Sequence, residues 1–166
     1  MGATYVISDT HFGHANILGF KRSDGTPLRD FATIEEHDEQ LIERWNATVR
    51  PQDKVYHLGD CVINRRCLPT LGRLNGKKRL VRGNHDIFRT DEYLQYFDEV
   101  YGCRVLDMMI LTHIPIHVEC LARFKLNIHG HLHSNTLGDN MYFNVSCEQV
   151  NHTPISLEEI KGKLCL

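Results

Sequence analysis

Tyr5-Val6-Ile7-Ser8-Asp9-Thr10-His11 is a short β-branched run that stops on an aspartate and a histidine two positions apart. Later runs stop in the same way. Val55-Tyr56-His57-Leu58 leads into Gly59-Asp60, and Leu80-Val81-Arg82 leads into Gly83-Asn84-His85-Asp86. Met109-Ile110-Leu111 leads into Thr112-His113, and Leu126-Asn127-Ile128 into His129-Gly130-His131-Leu132-His133. Runs of this length and composition read as strands. In an open α/β sheet, ligands gather beyond the carboxyl ends of the strands. Each of these strands therefore delivers Asp, Asn or His to one edge. Histidines kept only for core packing would be scattered along strands and helices instead.

Between the strands lie helical patterns. Thr33 with Glu36 forms a capping box, and Ile34, Leu41, Ile42, Trp45 and Val49 then share one face before Pro51. A shorter helix is expected after Pro69, with Leu71 and Leu74 inward. Another is expected to be capped by Thr90 and to carry Leu94 and Phe97, and Ser156 with Glu159 marks a last one. Tyr142-Phe143-Asn144-Val145 adds a late strand. Early alternation followed by strand-rich sequence indicates an α/β sandwich rather than a simple doubly wound sheet. Residues 13–30 read as a long loop, a lid or a plain surface excursion.

At 166 residues the chain fits one domain, residues 1–166, able to bury a core unaided. No apolar stretch approaches the roughly 20 residues a bilayer requires, and no signal peptide opens the chain. The six cysteines form no CxxC pair, so reduced, largely buried thiols in a cytoplasmic protein are expected. A net charge of −2 offers no general attraction to nucleic acid or membranes, and Lys77-Lys78-Arg79 reads as a solvated turn. The eleven histidines exceed ordinary usage and need a cause. Histidine is the commonest metal ligand and the usual acid or base near neutral pH.

The donors at the strand ends are Asp9, His11, Asp60, Asn84, His113, His131 and His133. They exceed what one tetrahedral ion can use, and suit two ions if one carboxylate bridges them. Spacing of two in Asp9-x-His11 and His131-x-His133 puts each pair on one face of extended backbone. Imidazole and carboxylate donors without thiolate disfavour a soft-metal site. His85, beside Asn84 but outside the donor set, is the candidate general acid for a leaving-group oxygen.

Together Asp9-x-His11, Gly59-Asp60, Gly83-Asn84-His85-Asp86, Thr112-His113 and Gly130-His131-x-His133 resemble the motif set of the calcineurin-like metallophosphoesterase superfamily, most nearly its small bacterial and phage members. The resemblance implies two packed mixed β-sheets flanked by helices in an α/β/β/α sandwich. It implies that Asp9, His11 and His133 hold one ion, that Asn84, His113 and His131 hold the other, and that Asp60 bridges. Two divalent ions are implied, manganese first, with iron, zinc, nickel or cobalt as alternatives. The implied reaction is hydrolysis of a phosphodiester or phosphomonoester of a small or nucleotide-type substrate by a metal-bridging hydroxide, with His85 as the acid.

The pattern departs from the protein-phosphatase branch, where an acid three residues after the bridging aspartate orients the catalytic histidine. Ile63 stands there, which leaves Asp86 as the local candidate or as support for the site. Arg65, Arg66, His14 and Asn16 are weighed as substrate contacts against ordinary surface positions. His37 and His152 read as surface or packing residues and His57 as core. His117 and His129 read as support rather than ligands. Two rivals remain: a nuclease or end-processing enzyme, for which a basic track is missing, and a catalytically silent scaffold.

Overall fold

Adjacent strand residues face opposite ways. In the computed structural model, which describes residues 2–163, that alternation sorts the apolar side chains into two cores. Strands β1 (Thr4–Ile7), β2 (Lys54–His57), β3 (Lys77–Val81) and β4 (Glu99–Tyr101) run parallel in one sheet. The second sheet has β5 (Arg104–Leu106) antiparallel to β6 (Met109–Leu111), then β7 (Leu126–His129) and β8 (Tyr142–Asn144) parallel to it. Strand β9 (Ile155–Ser156) returns to the first sheet, antiparallel to β1. Both sheets are thus mixed, in the orders β4-β3-β2-β1-β9 and β5-β6-β7-β8.

Ile7, Val55 and Leu80 face Leu41, Ile42 and Trp45 of helix α1 (Ile34–Thr48). Val6, Tyr56 and Val81 face the other way and meet Met109, Leu111, Leu126 and Ile128 across the sheet interface. The first sheet is therefore covered on both faces, as parallel strands require. Half of the capping box of α1 forms: Glu36 N donates to Thr33 Oγ1 at 3.1 Å, but Glu36 Oε2 accepts from Ala32 N at 2.9 Å, one residue before the N-cap amide. Glu159 N donates to Ser156 Oγ at 3.1 Å, opening a helix at Leu157–Lys163. Among the described residues no helix is long and apolar enough to cross a membrane.

Several local expectations are corrected. The Lys77-Lys78-Arg79 cluster is strand, paired with β2 and β4, and its charges are met by Lys78 Nζ reaching Leu74 O and Arg79 pairing with Glu99 over the Tyr56 ring. The helix expected after Pro69 is instead a 3-10 segment, Arg65–Arg73, with Pro69 inside it. Asn64 begins that turn by accepting from Arg66 N. Thr90 is the first residue of a single turn, Thr90–Tyr93, and not its cap. Tyr93 and Phe97 are buried there, whereas Leu94 is half exposed. Cys61 and Cys147 are buried free thiols, but Cys103 and Cys120 are exposed. Cys165 lies outside the described residues.

His57 is a core residue, as expected. It is buried between Trp45 and Phe97, its Nδ1 accepts from Gly59 N, and its Nε2–H donates to Thr10 Oγ1. Burial lowers its pKa from 6.5 to about 4, against the raising influence of Asp86. The unfolded chain therefore takes up this proton first as pH falls, so the stabilisation is whole above 6.5 and declines towards about 4. Urea midpoints of the metal-free chain should fall less steeply between pH 7 and 4.5 for His57→Gln than for wild type. Equal slopes would contradict this.

Candidate metal centre

The loops that follow β1, β2, β3, β6 and β7 all open at one edge, where backbone bonds lock the two sheets together. Asp9 N donates to Gly59 O and His11 N to Asp60 O, so the first two loops continue the parallel pairing. Ser8 N donates to Val145 O and Cys147 N to Ser8 O, which joins β1 to the segment after β8. Gly130 N donates to His113 O. Gly130 is needed here because a Cβ would overlap Ser8 Oγ and the Asp9 carboxylate. Gly83 is needed for the same reason, since its Cβ would overlap Asp60.

Most of the donors sit in left-handed backbone. Asp9 (φ 59°), His11 (51°), Asp60 (55°), His131 (67°) and His133 (50°) all lie where L-residues are strained. Asp and His tolerate this region better than bulky or β-branched residues. Even so, such strain is stored mainly at functional sites, where surrounding contacts enforce it. The local effect is to turn each side chain from strand direction towards one cluster.

Two groups result. Asp9, His11 and His133 offer one ligand atom each within 4.8 Å of one another, and Asp60, His113 and His131 do the same. Asn84, on the adjacent loop, joins the second group through Oδ1, 2.9 Å from His113 Nε2. The two groups meet at Asp60. Its Oδ2 lies 3.9 Å from His11 Nε2 and 3.3 Å from His113 Nε2, while its Oδ1 accepts from His85 N at 2.8 Å.

The polar atoms of the first group fit a cation. Asp9 Oδ2 is satisfied by His131 N and Ser146 Oγ, both at 2.9 Å. Asp9 Oδ1 and both ring nitrogens of His11 are buried without a partner. Asp9 Oδ1 lies 3.7 Å from His11 Nε2 and 3.9 Å from His133 Nε2, too far for hydrogen bonds. Donors about 2.0–2.2 Å from one shared ion stand roughly 3–4 Å apart, so these separations suit a common ligand. Buried orphans of this kind are otherwise costly.

The electrostatics agree. Burial alone would push the Asp9 carboxyl up, but His11, His113 and His133 hold it well below the carboxylate range. Asp60 is likewise lowered against burial, by His113, the His85 amide and His11. Burial works to lower His113, and Asp60 with Asp9 raises it instead. His131 is lowered by burial and by the neighbouring His113. The site keeps its carboxylates ionised, as a divalent ion requires, while His113 and His133, both raised by neighbouring carboxylates, would give up protons to an incoming ion.

The other candidates fall out differently. His85 belongs to neither group, yet its exposed ring stands 6.0 Å from the His11 ring. Asp86 is not its partner. The Asp86 carboxylate is buried and accepts from Asp60 N, Cys61 N, Cys61 Sγ and Gly83 N, holding the β2 and β3 loops together. His14 reaches the site, 5.7 Å from the His11 ring, and Asn16 is exposed on the following turn, Ala15–Gly19. Arg65 is committed to Glu92 and lies over Phe88, while Arg66 is exposed. His129 is buried against Gly130 O, and His117 is exposed and accepts from Glu119 N. His37 is fully buried and His152 packs on Phe31.

Residues 13–30 are an ordered excursion with Ile17, Leu28 and Arg29 buried. Arg29 and Glu148 were not expected at the site from sequence. The Arg29 side chain is buried, donates to Glu148 Oε1 at 2.8 Å and reaches Asp9 O. Glu148 Oε1 also accepts from His133 Nδ1 at 3.1 Å. The only signal for either was proximity in sequence to the first and last motifs.

The calcineurin-like phosphoesterase model matches residues 3–142 of this chain. An uncharacterized protein of Methanocaldococcus jannaschii is 35% identical, with 99% of this chain and 95% of that protein covered. The gene 66 protein of Mycobacterium phage D29 is 37% identical, with 85% and 83% covered. A solved protein of unknown function from Aquifex aeolicus superposes with a TM-score of 0.79 at 28% identity, covering 98% of this chain and all of its own. A structure described as a novel archaeal phosphodiesterase shares the fold, with a TM-score of 0.50 at 17% identity over 86% of this chain and 81% of its own. On the family match and the full-length relative, this chain belongs to the calcineurin-like phosphoesterase family.

Proposed function

We propose that this chain is a two-metal phosphoesterase that hydrolyses phosphodiester or phosphomonoester bonds of a small or nucleotide-type substrate, with manganese as the preferred ion. Asp9, His11 and His133 would hold one ion, Asn84, His113 and His131 would hold the other, and Asp60 would serve both. The observation that carries this reading is the position of Asp60 Oδ2, within 3.9 Å of a donor from each group. Paired divalent ions supply a water nucleophile near neutral pH and neutralise phosphoryl oxygens.

The chain's own residues do the rest. Asp60 Oδ1 holds the His85 amide, which keeps that ring at the mouth of the site. His85 delivers the proton to the departing oxygen. Asp86 fixes the two loops that carry Asp60 and Asn84. The net charge of −2 supplies no basic track, which disfavours a nucleic-acid substrate.

The test is hydrolysis by the manganese-loaded chain of bis-p-nitrophenyl phosphate, p-nitrophenyl phosphate, cyclic nucleotides and phosphorylated metabolites. The fold neighbour described as a phosphodiesterase makes diesters the first to try. Metal-dependent turnover is expected. No turnover with manganese, nickel, cobalt or zinc would contradict the proposal and favour an interaction scaffold.

A further inference from the structure

Arg29 and Glu148 form an ion pair whose side chains are both 0% exposed. Burying two charges is expensive, and breaking such a pair leaves one of them uncompensated. Its contacts run to Asp9 and His133 of the first metal group and to Thr10, the residue before His11. Arg29 Nη2 donates to Asp9 O and Nη1 to Thr10 O at 2.9 Å, clamping two successive carbonyls between Asp9 and His11. Those carbonyls belong to the stretch whose ends are held in left-handed backbone. Glu148 Oε1 accepts from both Arg29 Nε and His133 Nδ1. With Nδ1 donating, Nε2 of a neutral His133 carries the lone pair, 3.9 Å from Asp9 Oδ1.

The arrangement is anchored in α1. Arg29 Nη1 lies 2.8 Å from His37 Nε2, and His37 Nδ1 lies 2.8 Å from Asp38 Oδ1. A neutral His37 with its proton on Nδ1 satisfies both contacts, and burial with the nearby Arg29 charge keeps its pKa low. The second group is built otherwise: His113 Nδ1 donates to the backbone at Leu58 O, 2.7 Å away, with no carboxylate behind it. The His133 and His113 imidazoles therefore rest on different supports, a buried ion pair and a backbone carbonyl, and the two groups touch through Asp9 Oδ2 and the His131 amide.

We infer that Arg29 and Glu148 are positioning residues that set the affinity of the first metal group, Asp9, His11 and His133, and leave the second group untouched. This rests on the two-metal reading above. Outer partners of this kind change metal affinity by about 10–100-fold. The test measures manganese binding by titration, with the spin coupling of the bound pair read by electron paramagnetic resonance. Wild type, Glu148→Gln and His131→Ala are compared, with circular dichroism and melting as checks on the fold.

Glu148→Gln should weaken one ion by about 10–100-fold and abolish the coupled signal at limiting metal. It should keep the ion that His131→Ala loses. Should the unpaired Arg29 prevent folding, the double variant Arg29→Met with Glu148→Gln removes both charges and is judged in the same way. Two ions at wild-type affinity in the variant, or equal weakening of both in a folded variant, would overturn the inference alone. A wild-type chain that does not bind two ions would overturn the two-metal reading with it.

Discussion

His85→Ala is expected to lower kcat by about 10²–10⁴ on an ester with a poor leaving group, the range a general acid contributes. Metal content should be unchanged, because His85 belongs to neither donor group and its contact with Asp60 is made by backbone N–H. The loss should depend on the leaving group. An alkoxide needs a proton as the bond to phosphorus breaks, whereas p-nitrophenolate departs without one. Measuring kcat and bound metal for an alkyl ester and a nitrophenyl ester of the same phosphate separates the possibilities. Equal loss on both esters would assign His85 to positioning, and full activity on both would remove it from the reaction.

Asp60→Asn should cost more than any other near-isosteric change at the site. Asn can still accept from the His85 amide, so the β3 loop keeps its hydrogen bond. What disappears is the anionic oxygen that stands 3.9 Å from His11 and 3.3 Å from His113. Without that charge two divalent ions cannot be held close together without strong repulsion. Metal-ion catalysis provides several kcal/mol of transition-state stabilisation, so turnover should fall by at least about a thousandfold. Titration should show one ion bound per chain instead of two. Retention of both ions with normal turnover would show that Asp60 is not shared.

Much of this was legible because the chemistry sits next to its own structural signal. Asp9, Asp60, Asn84, His113 and His131 each follow a run of β-branched or apolar residues within a few positions, so strand and donor are read together. The alternation of Val6 with Ile7 and of Val55 with Tyr56 likewise announces strands buried on both faces. The short edge strands β4 (Glu99-Val100-Tyr101), β5 (Arg104-Val105-Leu106) and β9 (Ile155-Ser156) are not legible, since none is an unbroken apolar run like the equally short β6, Met109–Leu111.

Arg29 and Glu148 were hidden for a different reason. They are separated by 119 positions, and neither lies in a pattern that marks burial. A buried arginine in a loop with Ser23-Asp24-Gly25 reads as surface until the fold brings Glu148 beneath it. The left-handed backbone at Asp9, His11 and Asp60 was equally invisible, because it arises from pairing between loops rather than from local preference. The role of Asp86 was narrowed for the same reason: its carboxylate is occupied by amides of Asp60, Cys61 and Gly83.

The proposed centre depends on one carboxylate, Asp60, shared between two metal groups. The most direct measurement is turnover of bis-p-nitrophenyl phosphate as manganese is added back stepwise to chelator-stripped protein. No activity is expected without metal, little with one equivalent, and a plateau at two equivalents per chain. Activity that persists in the stripped chain, or that is complete at one equivalent, would contradict it.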